Sequence, residues 1–274
     1  MNNNISMVIT DMDRTLLNDD GIITEKNLNV ISKLKKSNIK FVIATGRGKE
    51  ALCRFLETYN ILHNVDYIIS MNGVSFYDLR SKESYNFDYL DESIIKEIYN
   101  MFKSYNISFV VHENNTAICS KKTIYTDIEA KVNNYAVNEV SDFTKILTKK
   151  YPKLMLIGEK EILDEVGNKL LQISKGKFNF FKSHDFFLEI VKSDVSKGNA
   201  LVKLCGLKNI EISSVMAFGD NANDLDMIKY AGIGVAVNNA QEELKLQAEV
   251  ITKSNNEDGF AYACTQLLNL YELN

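Results

Sequence analysis

"ITDMDRTLLND", residues Ile9 to Asp19, closes an apolar run with two carboxylates two positions apart, then a threonine and two leucines. Side chains alternate across extended backbone, so Asp11 and Asp13 point the same way where a strand leaves the core. Two like charges at that spacing repel unless a cation or a shared proton compensates. A divalent metal is the simplest compensation, because hard oxygen donors suit Mg2+. With the metal, one carboxylate can attack phosphorus while the other moves a proton at the ester oxygen. Read alone, the same stretch also fits a D-x-D turn that caps the next segment.

The surroundings of this stretch set the fold class. "SMVIT" reads as a buried strand, and Leu28, Ile31 and Leu34 recur at helical spacing after Thr24, a plausible N-cap. "IKFVIAT" (39–45) and "DYIIS" (66–70) are further strands, separated by a helix marked by Leu52, Phe55, Leu56 and Tyr59. The pattern resumes after about residue 190 with a helix from Ser196, then "SSVMAFG", "NDLDMIKYA", "GIGVAV", "EVIT" and a last helix through Ala261, Cys264 and Leu268. Strand–helix alternation of this kind predicts an α/β, doubly wound, Rossmann-like parallel sheet. This sheet is expected over 1–80 and 190–274. Residues 81–189 break the pattern: two helices, near 91–104 and 160–174, are flanked by "ISFVV", "KLMLIG", "FNFF" and "FFLEIV". That predicts an inserted α+β domain with its own antiparallel sheet, which the resemblance given below implies to be a cap domain.

Bulk properties narrow the function classes. The chain of 274 residues is 45% hydrophobic and 25% charged, with a formal net charge of −4. This offers no electrostatic reason to expect nucleic acid or an anionic membrane as a partner. No apolar stretch approaches the roughly 20 residues of a membrane span. The start, "MNNNISMVIT", has no basic run or cleavage pattern of a secretory signal, so a cytoplasmic protein is expected. Cys53, Cys119, Cys205 and Cys264 form no C-x-x-C pair, and His63, His112 and His184 share no motif. Zinc sites and histidine-dependent triads are therefore disfavoured.

Three more clusters sit where strands end, the place where open α/β sheets collect ligands. "ATGR" (44–47) offers the Thr45 hydroxyl and, at Gly46, a backbone that an anion can approach closely. Arg47 reads as a helix-start or surface charge. Lys197 in "SDVSKGNAL" stands at a helix start, where the macrodipole disfavours a cation. It is expected there for another purpose, such as neutralising a phosphoryl group. "FGDNANDLDM" (218–227) places Asp220 at a strand end, with Asn223 and Asp224 just after it. Asp220 can complete an oxygen shell begun by Asp11, Asp224 can be a further ligand or orient Lys197, and Asn223 can donate to phosphoryl oxygens.

Taken together, these residues resemble the haloacid dehalogenase superfamily of phosphohydrolases, in its Cof-type (type IIB cap) branch. The D-x-D-x-T motif corresponds to Asp11, Asp13 and Thr15, the hydroxyl motif to Thr45, the motif lysine to Lys197, and G-D-x-x-N-D to Gly219, Asp220, Asn223 and Asp224. "MNG" (71–73), "LMLIG" (154–158), "FFLEIVKSDVSKG" (186–198) and "SNNEDG" (254–259) also look like this branch. The resemblance implies Asp11 as nucleophile, forming an aspartyl-phosphate, and Asp13 as the group that protonates the leaving oxygen and then activates water. It implies Mg2+ held by Asp11, Asp220, the main-chain carbonyl of Asp13 and, directly or indirectly, Asp224. Thr45, Lys197 and Asn223 would hold the phosphoryl oxygens. The implied substrates are small phosphorylated metabolites, sugar phosphates foremost, with pyridoxal phosphate, flavin mononucleotide or nucleotides in the same branch. A phosphomutase and a non-catalytic phospho-ligand-binding protein are the alternatives, and oligomeric state is not legible. Two departures stand out: Arg14 where glycine is usual, and Lys192 and Asp194 where proline and glycine are common. A non-glycine residue resists the positive φ that a glycine would supply.

Overall fold

The first strand, β1 (Met7–Asp11), is buried along its whole length, and the larger sheet is built outward from it on both sides. The computed structural model describes residues 5–87, 89–113 and 115–270. After β1 come α1 (Glu25–Lys36), β2 (Lys40–Ala44), α2 (Lys49–Thr58), β3 (Tyr67–Ser70), β4 (Ser75–Asp78) and β5 (Ser84–Asn86). Thr24 starts α1 by accepting the Asn27 N–H at 3.3 Å, the capping role its side chain suits. A second stretch follows: α3 (Glu92–Phe102), β6 (Ile107–Glu113), β7 (Thr116–Cys119), α4 (Ile124–Asn133), β8 (Ala136–Glu139), β9 (Leu154–Gly158), α5 (Lys160–Ile173), β10 (Phe178–His184) and β11 (Phe187–Lys192). The chain ends with α6 (Lys197–Lys208), β12 (Val215–Gly219), α7 (Leu225–Tyr230), β13 (Ile233–Ala236), α8 (Glu242–Lys245), β14 (Val250–Ile251) and α9 (Gly259–Leu268). Two compact units result, one from the described residues up to Asn86 and from Ser196 onward, the other Phe87–Val195.

The first unit holds an eight-stranded sheet in the order β14-β13-β12-β1-β2-β3-β4-β5. Strands β14 to β3 run parallel, and at one edge β4 pairs antiparallel with both β3 and β5. From β1 the chain winds one way through β2 and β3, then returns on the other side through β12, β13 and β14. The order therefore reverses at β1, the switch point where such sheets open a crevice beyond their carboxyl ends. One face is covered by α1, α2 and α9 through Val30, Ile31, Leu34, Leu52, Leu56 and Phe260, packed on Val8, Phe41, Ile43, Ile68 and Phe218. Phe218 meets Phe260 edge-on at 4.9 Å, a contact worth about 1 kcal/mol beyond burial. On this scaffold the ends of β1, β2, β3 and β12 cannot drift apart.

The second unit is a six-stranded sheet, β10-β11-β9-β6-β7-β8. It is not purely antiparallel as the sequence suggests, because β7 and β8 pair parallel across α4. Helix α4 itself is absent from the sequence reading. Its apolar residues Ile124, Ile128 and Val132 face outward, while Thr126, Glu129, Ala130 and Asn133 face in, so hydrophobic periodicity points away from the buried side. Helices α3 and α5 cover one sheet face through Ile95, Ile98, Phe102, Leu163, Val166 and Leu170. On the other face, α4 covers Val110, Ala117, Cys119, Met155 and Ile157. Glu129 there sits 3.0 Å from His112 and also accepts from Asn133 at 3.1 Å. Burial opposes its charge, and His112, Lys153 and Asn133 outweigh burial, so its pKa is lowered.

Among the described residues no helix is long and apolar enough to cross a membrane. Removing His112 leaves the buried Glu129 carboxylate without its nearest partner, which costs about 3 kcal/mol, whereas replacing both residues by apolar groups costs little. His112→Ala is therefore expected to lower stability to urea by about that amount, and His112→Leu/Glu129→Met by clearly less. Equal losses would refute the pairing.

Candidate active site

Asp11 ends β1 and is 7% exposed, and its Oδ1 accepts from Lys197 Nζ at 2.5 Å. Lys197 is the first residue of α6, capped by Ser196, whose hydroxyl accepts the Asn199 N–H at 3.1 Å. Its ammonium is fully buried and also donates to Asp224 Oδ1 at 2.6 Å. Burial opposes the charge on Lys197, but Asp11 and Asp224 more than offset it, and the pKa rises. The cation that looked misplaced at a helix start is thus fixed between two carboxylates.

Asp224 is wholly buried and uses its other oxygen on backbone, accepting the N–H groups of Asp220 at 3.0 Å and Asn221 at 3.2 Å. The approach leaves no room for a side chain at Gly219, whose Cβ would fall 2.5 Å from the Asp224 Cβ. Asp220 in turn accepts the Thr15 hydroxyl at 3.1 Å. One carboxylate oxygen each from Asp11, Asp220 and Asp224 lie within 4.8 Å of one another. Three buried carboxylates against one ammonium leave two excess negative charges when all are ionised. Burial, with the charge of Asp224, pushes the Asp220 carboxyl up to about 7, and burial likewise raises Asp11 well above the carboxylate range. Such a donor set fits a small, hard divalent cation.

Asp13 lies beyond the strand, in the kinked turn Met12–Leu16, and its side chain is half exposed. Its carboxylate is not part of the acidic cluster; Arg47 grips it with two bonds, Nη2 to Oδ1 at 2.5 Å and Nε to Oδ2 at 3.2 Å. The next residue, Arg14, takes φ 61° and ψ 7°, the left-handed conformation that a glycine would enter freely. Its carbonyl accepts from Asn239 Nδ2 at 2.8 Å, which ties the turn to the segment after β13. Thr45 is buried just past β2, its hydroxyl accepting the Arg47 N–H at 3.1 Å, and Gly46 follows it. Asn223 Nδ2 donates to Asn72 Oδ1 at 3.0 Å. Asp11, Lys197, Asp220 and Asp224 are therefore brought into direct contact or close range. Arg47 and Asn72 are the residues that motif reading did not assign a task; the "MNG" turn was the only sign of the second.

A family model described as haloacid dehalogenase-like hydrolase matches residues 8–264. The chain belongs to the haloacid dehalogenase-like hydrolases. It is similar to YxeH of Bacillus subtilis, 31% identical over 266 residues, covering 96% of this chain and 98% of YxeH. It is also similar to the 5-amino-6-(5-phospho-D-ribitylamino)uracil phosphatase YwtE of Bacillus subtilis, 29% identical over 296 residues, with 96% and 98% covered. A haloacid dehalogenase-like hydrolase from Bacteroides thetaiotaomicron superposes with a TM-score of 0.83 at 29% identity, covering 96% of this chain and 99% of that one. This haloacid dehalogenase-like hydrolase is a phosphatase with an α/β core and an inserted cap unit.

The raised Asp220 pKa has a definite sign in stability. The folded state holds a proton that the unfolded carboxylate releases near pH 4, so stability falls as pH rises from about 4 towards about 7. In EDTA, the melting temperature of the wild type is expected to drop more between about pH 5 and about pH 7 than that of Asp220→Asn. Mg2+ at neutral pH is expected to raise the wild-type value more than the variant's. Parallel pH curves and no response to Mg2+ would contradict this account of the cluster.

Proposed function

We propose that this phosphatase is a Mg2+-dependent phosphomonoester hydrolase that works through an aspartyl-phosphate on Asp11 and acts on small phosphorylated metabolites of the sugar type. The observation that carries the reading is the enclosed Asp11–Lys197–Asp224 arrangement at the switch point of the sheet, with Asp220 alongside. Lys197 holds Oδ1 of Asp11, which orients Oδ2 for attack on phosphorus. As the P–O bond to the leaving group breaks, Asp13 gives its proton to that oxygen. Asp13 then takes a proton from the water that attacks the acyl-phosphate, returning Asp11 as carboxylate and releasing inorganic phosphate. Arg47 holds Asp13 in place by its two-bond fork between these steps.

Thr45, Gly46, Asn223 and Lys197 surround the phosphoryl oxygens with donors, so the negative charge that spreads over them meets hydrogen bonds already in place. Asp11, Asp220, the Asp13 carbonyl and, directly or indirectly, Asp224 would hold Mg2+. When bound, the ion neutralises charge on the carboxylates and the phosphoryl group. The sugar-type substrate class is supported by YwtE, whose named substrate carries its phosphate on a ribityl chain.

The test is phosphate release from a panel of sugar, sugar-alcohol, nucleotide and cofactor monophosphates with Mg2+. Free phosphate, rather than an isomeric ester, is expected, with EDTA abolishing turnover and Asp11→Asn reducing it by about a thousandfold or more. Isomerisation without release would make the protein a mutase. No turnover of any ester, or full activity in Asp11→Asn, would end the hydrolase reading. Arg47→Lys keeps the charge but loses the fork, and is expected to lower kcat by about tenfold with KM little changed.

A further inference from the structure

Three successive residues after β3, Met71, Asn72 and Gly73, have φ of 50°, 56° and 104°. Left-handed backbone is strained for a side chain such as that of methionine, and it persists only where the surroundings over-determine it. Here they do. The Met71 N–H donates to the Arg47 carbonyl at 3.2 Å, and the Asn72 N–H donates to the Thr45 carbonyl at 2.9 Å. Gly73 abuts the start of α6 so closely that a Cβ would lie 2.2 Å from the Ser196 carbonyl oxygen. The turn thus touches three of the segments that form the site, those carrying Thr45 with Arg47, Lys197, and, through the Asn72 side chain, Asn223.

That side chain is fully buried. Its Oδ1 accepts from Asn223 Nδ2 at 3.0 Å, and its Nδ2 lies 3.0 Å from where a Cβ on Gly46 would stand. A carboxamide is nearly symmetric in shape, and a half-turn exchanges its donor face for its acceptor face. An acceptor opposite Asn223 tolerates only the orientation with NH2 towards it. With the NH2 group held by Asn72, the turned-over amide that would put the Asn223 carbonyl in its place is disfavoured.

We propose that Asn72 is a positioning residue of the phosphoryl site: it sets the donor orientation of Asn223, and the strained 71–73 turn exists to hold it there. The inference rests on the hydrolase reading for the task of Asn223, but the Asn72–Asn223 coupling can be measured without turnover. Asn72→Gly removes the side chain and accepts the left-handed backbone. Asn72→Asp keeps both the acceptor and tolerance of that backbone. Asn223→Ala and the Asn72→Gly/Asn223→Ala double variant complete a cycle.

Two readouts are taken on the full chain with Mg2+: kcat/KM for p-nitrophenyl phosphate, and the side-chain amide resonances of Asn223, assigned by their loss in Asn223→Ala. Asn72→Gly is expected to lower kcat/KM by about tenfold, to cause no further loss on the Asn223→Ala background, and to shift the Asn223 amide pair. Asn72→Asp is expected to leave that pair near its wild-type position. Wild-type kcat/KM in Asn72→Gly, an undiminished loss on the Asn223→Ala background, or an unmoved Asn223 amide overturns the proposal. Should Asn72→Gly not fold, a displaced amide in Asn72→Asp overturns it and a retained one supports it. A wild-type protein that hydrolyses nothing, while its Asn223 amide still follows Asn72, overturns the hydrolase reading and supports the coupling.

Discussion

The ammonium of Lys197, fully buried between Asp11 at 2.5 Å and Asp224 at 2.6 Å, is the interaction on which the rest of the site depends. A lone ammonium at that depth costs several kcal/mol in lost hydration, and so does each carboxylate; only their mutual pairing makes the burial tolerable. The pair is also why β1, α6 and the loop after β12 must meet at one point. Asp224 spends one oxygen on Lys197 and the other on the backbone of Asp220 and Asn221, so the strand end that carries Asp220 is placed by the group that anchors the lysine. The same residues that pair with the buried ammonium also fix the geometry of the loop after β12.

Sheet topology makes that meeting possible. Residues 186 positions apart, Asp11 and Lys197, touch because β1 is central and the chain returns beside it through β12 after the cap unit has been completed. Parallel strands deliver all their carboxyl ends to one edge, and the reversal of order at β1 leaves a crevice there. The turn after β1 carries a further constraint. Arg14 keeps the left-handed conformation despite its side chain, with its carbonyl held by Asn239, so the departure from glycine is absorbed as local strain.

Much of this was legible in the sequence because it depends on local pattern. Buried parallel strands read as short apolar runs, Thr24 and Ser196 announce their helices by capping chemistry, and acids at strand ends stand out against those runs. What escaped the sequence depends on neighbours distant along the chain. Arg47 looks like a surface charge until Asp13 is seen beside it, and Asn72 is an ordinary turn asparagine until Asn223 lies 3.0 Å away. Helix α4 was hidden for a related reason: it buries Glu129 and Asn133 towards His112 and leaves its isoleucines outside, an inversion of the usual pattern. The parallel β7–β8 pair and the antiparallel β4–β5 edge are choices of pairing partner, which strand composition does not encode.

If Lys197 fixes one oxygen of Asp11 so that the other attacks phosphorus, then a covalent phosphoenzyme must form at that residue during turnover. The direct measurement is acid quenching within the first turnovers on a phosphate ester, followed by peptide mapping for a hydroxylamine-sensitive acyl-phosphate. The account predicts a single labelled peptide containing residues 9–19 with the phosphoryl group on Asp11. Label on another residue, or hydrolysis that proceeds with no acyl-phosphate at any quench time, would contradict it.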